Sequence, residues 1–367
     1  MSGAITAAGF DGSIGSALLQ DSAAVRQQLD TLLQQAGSGY VADTFAGLGS
    51  GAAATALAVA PQIAATQTSQ SDINAATAQM QVAQTALSQI SSIASTFYAD
   101  TNNLNGLDPS QVDSTASDAQ QALQQVAGLL DSTDGGLYVF GGQDSANPPV
   151  PNAQNILSSG FFTQIQSTVA GLAGSGASAV IAGTLAVAGS NAAGTSPFSA
   201  AMSQPASVLQ AQRPSVAAGA GQIVPIGIPA SANGFIASTG SSTTGSYTRD
   251  ILRALATLGS LNSSQVNDAG FAAVVQDVHT SLGDALTALN QDAGALGTTQ
   301  TNLQAEQTTL GQTTTALQTQ LSGVQDADMT STLAQLSQTQ TRLQASYQLL
   351  SSLQSLSLAK FLSPMIG

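Results

Sequence analysis

Residues able to do acid–base, nucleophilic or metal chemistry are scarce in this 367-residue chain, which has one histidine, His279, one glutamate, Glu306, and no cysteine. Catalysis needs an acid, base, nucleophile or metal ligands held close to one another. His279 and Glu306 fall far apart on one long helical pattern, where a histidine serves as a seam or surface residue. Asp326 and Asp328 could open an oxygen-ligand site, but the spacing of a calcium-binding loop does not follow them. The glycine-rich runs Gly47–Gly51 and Gly135–Gly142 lack a phosphate-binding lysine and a dinucleotide fingerprint. The expectation is a protein that is not an enzyme, with no cofactor and no metal, and a helix-joint role for the two aspartates.

Composition narrows the classes further. Charged residues make up 7% and aromatic residues 4%, with no tryptophan, so the core is built from many small contacts and the surface is solvated by Gln, Ser, Thr and Asn. A globular protein ordinarily carries roughly 25% charged residues. The formal net charge is −14, and the five arginines and one lysine are scattered. No basic stripe exists to neutralise phosphates, which argues against nucleic acid and anionic membrane surfaces as partners. Zero cysteine excludes a disulfide framework. The first residues, MSGAITAAGFDGSIGSALLQ, show neither a basic start nor a continuous apolar run, so no cleavable signal peptide is expected.

The elements that would position any site are long helices. Val275, Leu282, Leu289, Leu296, Leu303, Leu310, Leu317 and Val324 recur every seven residues, as along a coiled-coil seam. A helix through all of them would be about 75 Å long. A second seam, taken four residues on from each, reads His279, Leu286, Ala293, Gln300, Gln307, Thr314, Leu321 and Asp328. The period slips at Asp326-Ala327-Asp328 and resumes at Leu336, Leu343 and Leu350, with Leu333 and Tyr347 alongside, which marks a joint between two helices. Beyond it Leu353, Leu356, Leu358, Phe361 and Leu362 continue a dense apolar stripe toward the C-terminus.

The N-terminal third mirrors this pattern. Leu18, Val25, Leu29 and Leu32 form one amphipathic helix ending near Gly37-Ser38-Gly39. After a glycine-rich connector and Pro61, a second carries Ile73, Met80, Leu87 and Ala94 interleaved with Ala76, Ala83, Ile90, Phe97 and Leu104. A third starts with Asp108 as its cap and Pro109 at its first position, places Val112, Ala116, Ala119, Leu123, Val126 and Leu130 inward, and ends where Gly135 or Gly136 takes the left-handed cap.

No charged residue lies between Ser145 and Gln212. The apolar stretch Val169–Gly189 has the length of a membrane span, but it is rich in Gly and Ser and lacks flanking Lys, Arg, Trp or Tyr anchors. It reads as a buried or weakly ordered helix, with no membrane insertion. RPSVAAGAGQIVPIGIPA reads as two short strands around a glycine-containing turn, limited by Pro225 and Pro229. The fold class is therefore mainly α: a long antiparallel helical bundle or coiled coil from both termini, with a smaller β-containing or mixed central domain.

Two segments carry a family resemblance. Asp131–Asn152 contains Tyr138, Phe140, Gly141 and Gly142 after an amphipathic helix. The C-terminus contains Asp326 and Asp328, the run Leu336–Gln340, Leu343–Ser346, and Ser357, Leu358, Phe361 and Leu362. Together they resemble the flagellin superfamily, and within it the branch at the hook–filament junction. Residues 151–265 are unmatched, and the N-terminal joint departs from the family pattern, with only Ser38-Gly39-Tyr40 and then GLGSG.

The resemblance implies a folded-back chain whose termini order on assembly, exported through the flagellar type III pathway to an extracellular position at the hook–filament junction. It implies as partners copies of the chain itself, a hook-side junction protein, filament flagellin and an export chaperone at the C-terminal helix. The expected domains are an N-terminal arm 1–45, a helical body 46–150, a variable outer domain 151–267, a return helix 268–325 and a C-terminal arm 326–367. Leu18, Val25, Leu29, Leu32, Leu336, Leu343, Tyr347, Leu350, Leu353, Leu356, Leu358, Phe361 and Leu362 are the expected subunit-interface residues. Filament flagellin, and a secreted coiled-coil adhesin or effector, are the alternatives.

Overall fold

The computed structural model describes residues 10–104, 109–219 and 221–362. In chain order it contains α1 (Phe10–Ser38), a 3-10 turn (Phe45–Leu48), α2 (Ser50–Asn103) and α3 (Pro109–Leu130). A hairpin of β1 (Thr133–Asp134) and β2 (Leu137–Tyr138) follows, then α4 (Gly160–Ala170), α5 (Leu172–Gly189) and α6 (Ala206–Ala211). A second hairpin of β3 (Ser215–Ala218) and β4 (Gln222–Pro225) precedes α7 (Tyr247–Leu258), α8 (Phe271–Gln325) and α9 (Met329–Leu362). The protein is mainly α with a small mixed part. It divides into two compact units, one combining Met1–Thr66 with Gln312–Gly367 and the other spanning Gln67–Gly311.

In the second unit the heptad spacing produces the core directly. Along α2, Ile73, Ala76, Met80, Ala83, Leu87, Ile90, Ala94 and Phe97 are buried, as is Leu104 just past its end, and along α3 all six expected apolar positions are buried. Alternating steps of three and four keep these side chains on one face because a helix turns once in about 3.6 residues. On α8 the first seam behaves as expected, with Val275, Leu282, Leu289, Leu296 and Leu303 buried.

The second seam of α8 is different. Val278, Ala285 and Asp292, three residues on from each seam position, are buried, while His279, Leu286 and Ala293 are only half-buried. Steps of three and four straddle the same face, and the packing partner selects between them.

Two other expectations change. Helix α2 begins at Ser50, so Pro61 lies inside it. Interior proline removes a backbone hydrogen bond and costs about 3 kcal/mol; burial of Ala56, Val59 and Ile63 on the same stretch offsets it. Gly135 and Gly136, at φ 56° and 84°, do not cap α3 but form the two-residue turn of the β1–β2 hairpin. Positive φ at both central positions is the geometry that matches strand twist in such a loop. The expected cap Asp108 lies outside the described residues.

The β3–β4 hairpin forms as the sequence indicates, antiparallel with Ser215 opposite Pro225 and Ala218 opposite Gln222. The candidate membrane helix is α5, long and apolar enough by composition to span. It is interrupted at Gly176, whose φ is 76°, and packs on α4 and α7. All twelve residues of α7 are buried, including three ionised types. Arg253 pairs with Asp277 at 3.1 Å and donates to the Ser242 hydroxyl at 2.8 Å. Arg249 donates to the carbonyls of Ala188, Ser190 and Ser231 and to the Asn191 side chain. Asp250 accepts from the Thr244 amide and from the hydroxyls of Thr243 and Thr244. Buried charges persist only when paired and hydrogen-bonded, so these contacts are what allow α7 to sit inside.

At the end of α3, Asp131 accepts the Val150 N–H at 2.9 Å. Burial pushes its carboxyl up to about 6, and the Val150 bond offsets part of that.

Two outcomes follow from these buried charges. Arg253→Ala, which strands Asp277, should lower stability by about 3 kcal/mol, whereas the exposed Arg342→Ala should change it by less than about 0.5 kcal/mol, both read by denaturant unfolding. Because the folded Asp131 value is raised, the penalty for its charge is present above pH 6 and fades as the pH falls toward the unfolded value. Asp131→Asn should therefore stabilise the protein at pH 7 by on the order of 1 kcal/mol, after discounting for partial exposure. That gain should vanish near pH 4 in thermal unfolding.

Candidate functional site

The residues of catalytic type occupy structural positions. The His279 ring stacks on Tyr98 with centroids 4.1 Å apart, and its Nδ1 lies 2.9 Å from the Thr101 hydroxyl and 3.1 Å from the Tyr98 carbonyl. It thereby fastens α8 to α2. Glu306 abuts the β3–β4 turn: a Cβ on Gly219 would come within 2.0 Å of its carboxylate. Among the described residues no group of three His, Cys, Asp or Glu could hold a metal. A groove of about 820 Å³ between α2 and α3 is lined by Gln89, Gln121, Gln124, Gln125 and Gln154, whose amides offer neutral hydrogen bonding only.

Asp326 and Asp328 form the joint between α8 and α9. Gly39, at φ 77°, lets the chain leave α1 and run antiparallel to the joint. The Val41 N–H donates to the Gln325 carbonyl, and the Ala327 N–H to the Gly39 carbonyl, both at 2.8 Å. Asp328 then caps α9, its Oδ1 accepting from the amides of Thr330 and Ser331 at 3.0 and 3.2 Å. Such a cap is worth about 1 kcal/mol. The slip in the heptad is thus the place where two chain reversals clasp each other through their backbones.

From this clasp α1 and α9 pack along each other. On α1 the covered positions are Ser22, Val25, Leu29 and Leu32, with Val25 and Leu32 at 5% exposure. On α9 they are Thr332, Leu336, Thr339, Leu343, Ser346 and Leu350, again in steps of four and three. The expected interface residues Val25, Leu29, Leu32, Leu336, Leu343 and Leu350 therefore line a seam within one chain. Tyr347 lies outside that seam, with the Arg26 guanidinium 5.3 Å from its ring centre. Leu18, Leu353, Leu356, Leu358, Phe361 and Leu362 lie outside the residues whose side chains are described.

A second apolar set remains uncovered. Leu19 and Leu349 are more than half exposed, at 56% and 57%, and Leu33, Leu333 and Tyr347 are also exposed. Leu19 and Leu33 stand two heptads apart with Arg26 midway, as do Leu333 and Tyr347 with Gln340 midway. That repeat was a readable signal for an outward stripe beside the seam. Leu32→Ala should weaken protection of α1 amides from exchange by about 2–3 kcal/mol. Leu33→Ala, one residue on but outward, should change it by less than about 0.5 kcal/mol.

Comparison with curated proteins returns no match. Residues 280–362, which cover most of α8 and all of α9, match the family described as the bacterial flagellin C-terminal helical region. The matched segment is well under half of the chain. Over that segment the chain is similar to the C-terminal helices of bacterial flagellins, in keeping with the resemblance to the flagellin superfamily.

Proposed function

We propose that this chain is an axial structural protein of the bacterial flagellum that joins hook to filament by packing its terminal helices against those of neighbouring copies. The observation that carries this reading is the uncovered apolar set beside a seam already satisfied within the chain: Leu19 and Leu33 along α1, Leu333 and Tyr347 along α9, and Leu349 on the other flank of α9. It coincides on α9 with the flagellin C-terminal match. Moving one such side chain from half-exposed to buried gains on the order of 1 kcal/mol, and in a helical assembly every subunit repeats the gain. The seam residues Val25, Leu29, Leu32, Leu336, Leu343 and Leu350 then shape each protomer's helix pair. The stripe, together with the C-terminal apolar residues Leu353, Leu356, Leu358, Phe361 and Leu362, meets the neighbour.

The junction position, as distinct from the filament itself, is favoured by the Tyr138–Gly142 motif at the end of the β1–β2 hairpin and by the Ser357–Leu362 ending. A hook-side junction protein and filament flagellin would flank the assembly, and an export chaperone would cover the C-terminal helix beforehand.

Truncation after Gln338 is expected to leave hooks without attached filament and filament subunits free in the medium. Unchanged filament attachment would falsify the assembly role of α9. Loss of the bulk filament protein itself would instead assign the chain to filament flagellin. The combined Leu33→Ser, Leu333→Ser and Leu349→Ser variant should remain a helical monomer by circular dichroism yet fail to incorporate.

A further inference from the structure

Asp292 occupies a core position of α8 where the heptad calls for an apolar side chain, and it is 0% exposed. A buried carboxylate without donors costs several kcal/mol, yet this one has four. Its Oδ2 accepts from the Gly234 N–H at 2.8 Å and the Tyr247 hydroxyl at 3.1 Å. Its Oδ1 accepts from the amides of Phe235 and Ile236 at 2.6 and 3.1 Å. Three successive backbone N–H groups converging on one anion make a nest of the kind that holds phosphates and other oxyanions.

The surroundings of the nest are built for this approach. A Cβ on Gly234 would fall 2.9 Å from Ile228 Cγ1, so glycine lets the segment fold tightly over Ile228 while its N–H faces Asp292. Asn233 holds the segment's shape, accepting from the Tyr247 amide at 3.0 Å and donating to the Ile236 carbonyl and the Ser238 hydroxyl. Arg213 lies over the Phe235 ring, 4.2 Å from its centre, and donates to the Gly227 and Gly234 carbonyls. Its Nη2 is buried without a hydrogen-bond partner.

We infer that the 234–236 amides and the Tyr247 hydroxyl form an anion-binding nest whose resident ligand is the Asp292 carboxylate, and that this carboxylate is the latch fixing residues 233–247 onto α8. When the latch is vacated, the nest accepts a small carboxylate in its place. Because Asp292 follows the segment it holds by more than forty residues, the segment closes only after α8 is in position.

Full-length Asp292→Ala and the wild type are compared by hydrogen exchange, in sodium formate and in sodium chloride at equal ionic strength. The expected result for Asp292→Ala is exchange faster on the order of 10- to 100-fold over residues 233–247, as loss of charge-assisted bonds implies. Amides of α2 and α3 should remain protected, and formate but not chloride should slow the segment again. Formate should leave the wild type unchanged, because its nest is filled. Unchanged exchange in the variant, an equal rise throughout Gln67–Gly311, or no difference between formate and chloride would each overturn the latch. If Asp292→Ala does not fold, the isosteric Asp292→Asn decides: faster exchange confined to residues 233–247 supports the latch, and unchanged exchange rejects it.

Discussion

A seven-residue repeat of apolar side chains is the constraint on which the rest of this protein depends. On a straight helix such a repeat buries only one narrow seam. With aromatic residues at 4%, the seams are filled by Leu, Val, Ile and Ala, so large buried areas come from length. Helices α2 and α8 accordingly exceed fifty residues each. Everything off the seam must be solvated by amides and hydroxyls, covered by another element, or left for a partner. The chain uses all three solutions: Gln and Thr along the outward faces of α8, the α7 segment against the second unit's core, and the uncovered leucines of α1 and α9.

Covering the second unit's core required charge inside it. Three of the six cations, Arg213, Arg249 and Arg253, turn their guanidinium groups to internal carbonyls and carboxylates. The segment with no charge of its own, Ser145 to Gln212, is thereby tied down by arginines that follow it: Arg249 reaches Ala188 and Ser190, and Arg253 reaches Thr184. Arginine suits this work because its planar fork satisfies several acceptors at once. The same economy leaves few cations for an outer surface.

The two ends meet through main chain as well as side chain. The clasp of Gly39 and Val41 with Ala327 and Gln325 does not depend on side-chain identity. That explains why the N-terminal joint tolerates Ser38-Gly39-Tyr40 and a glycine-rich turn where the family resemblance leads one to expect another motif. Glycine is conformationally required at Gly39 in the clasp and at Gly49 in the turn after it, both at positive φ. The aspartates on the other side act separately, Asp326 in the backbone bridge and Asp328 as a helix cap.

The sequence by itself determined the long helices α1, α3, α8 and α9, the body of α2, their first seams, the Asp326 joint and the β3–β4 hairpin, because periodicity, capping and turn chemistry are local and follow from backbone geometry; it did not mark α4, α6 and α7, which fill the stretch it left as a mixed central domain. It did not reveal that Ala285 and Asp292 rather than Leu286 and Ala293 would be buried, since steps of three and four lie on the same face and only a partner chooses. It placed Leu32 and not Leu33 on the inward face, but it grouped Tyr347 with Leu343, and the fold turns Tyr347 outward. Those choices, and the pairing of Asp292, Arg249 and Arg253 with groups distant in the chain, were made by tertiary packing. A buried charge is stable only where the fold brings its partners, and no local pattern specifies where that is.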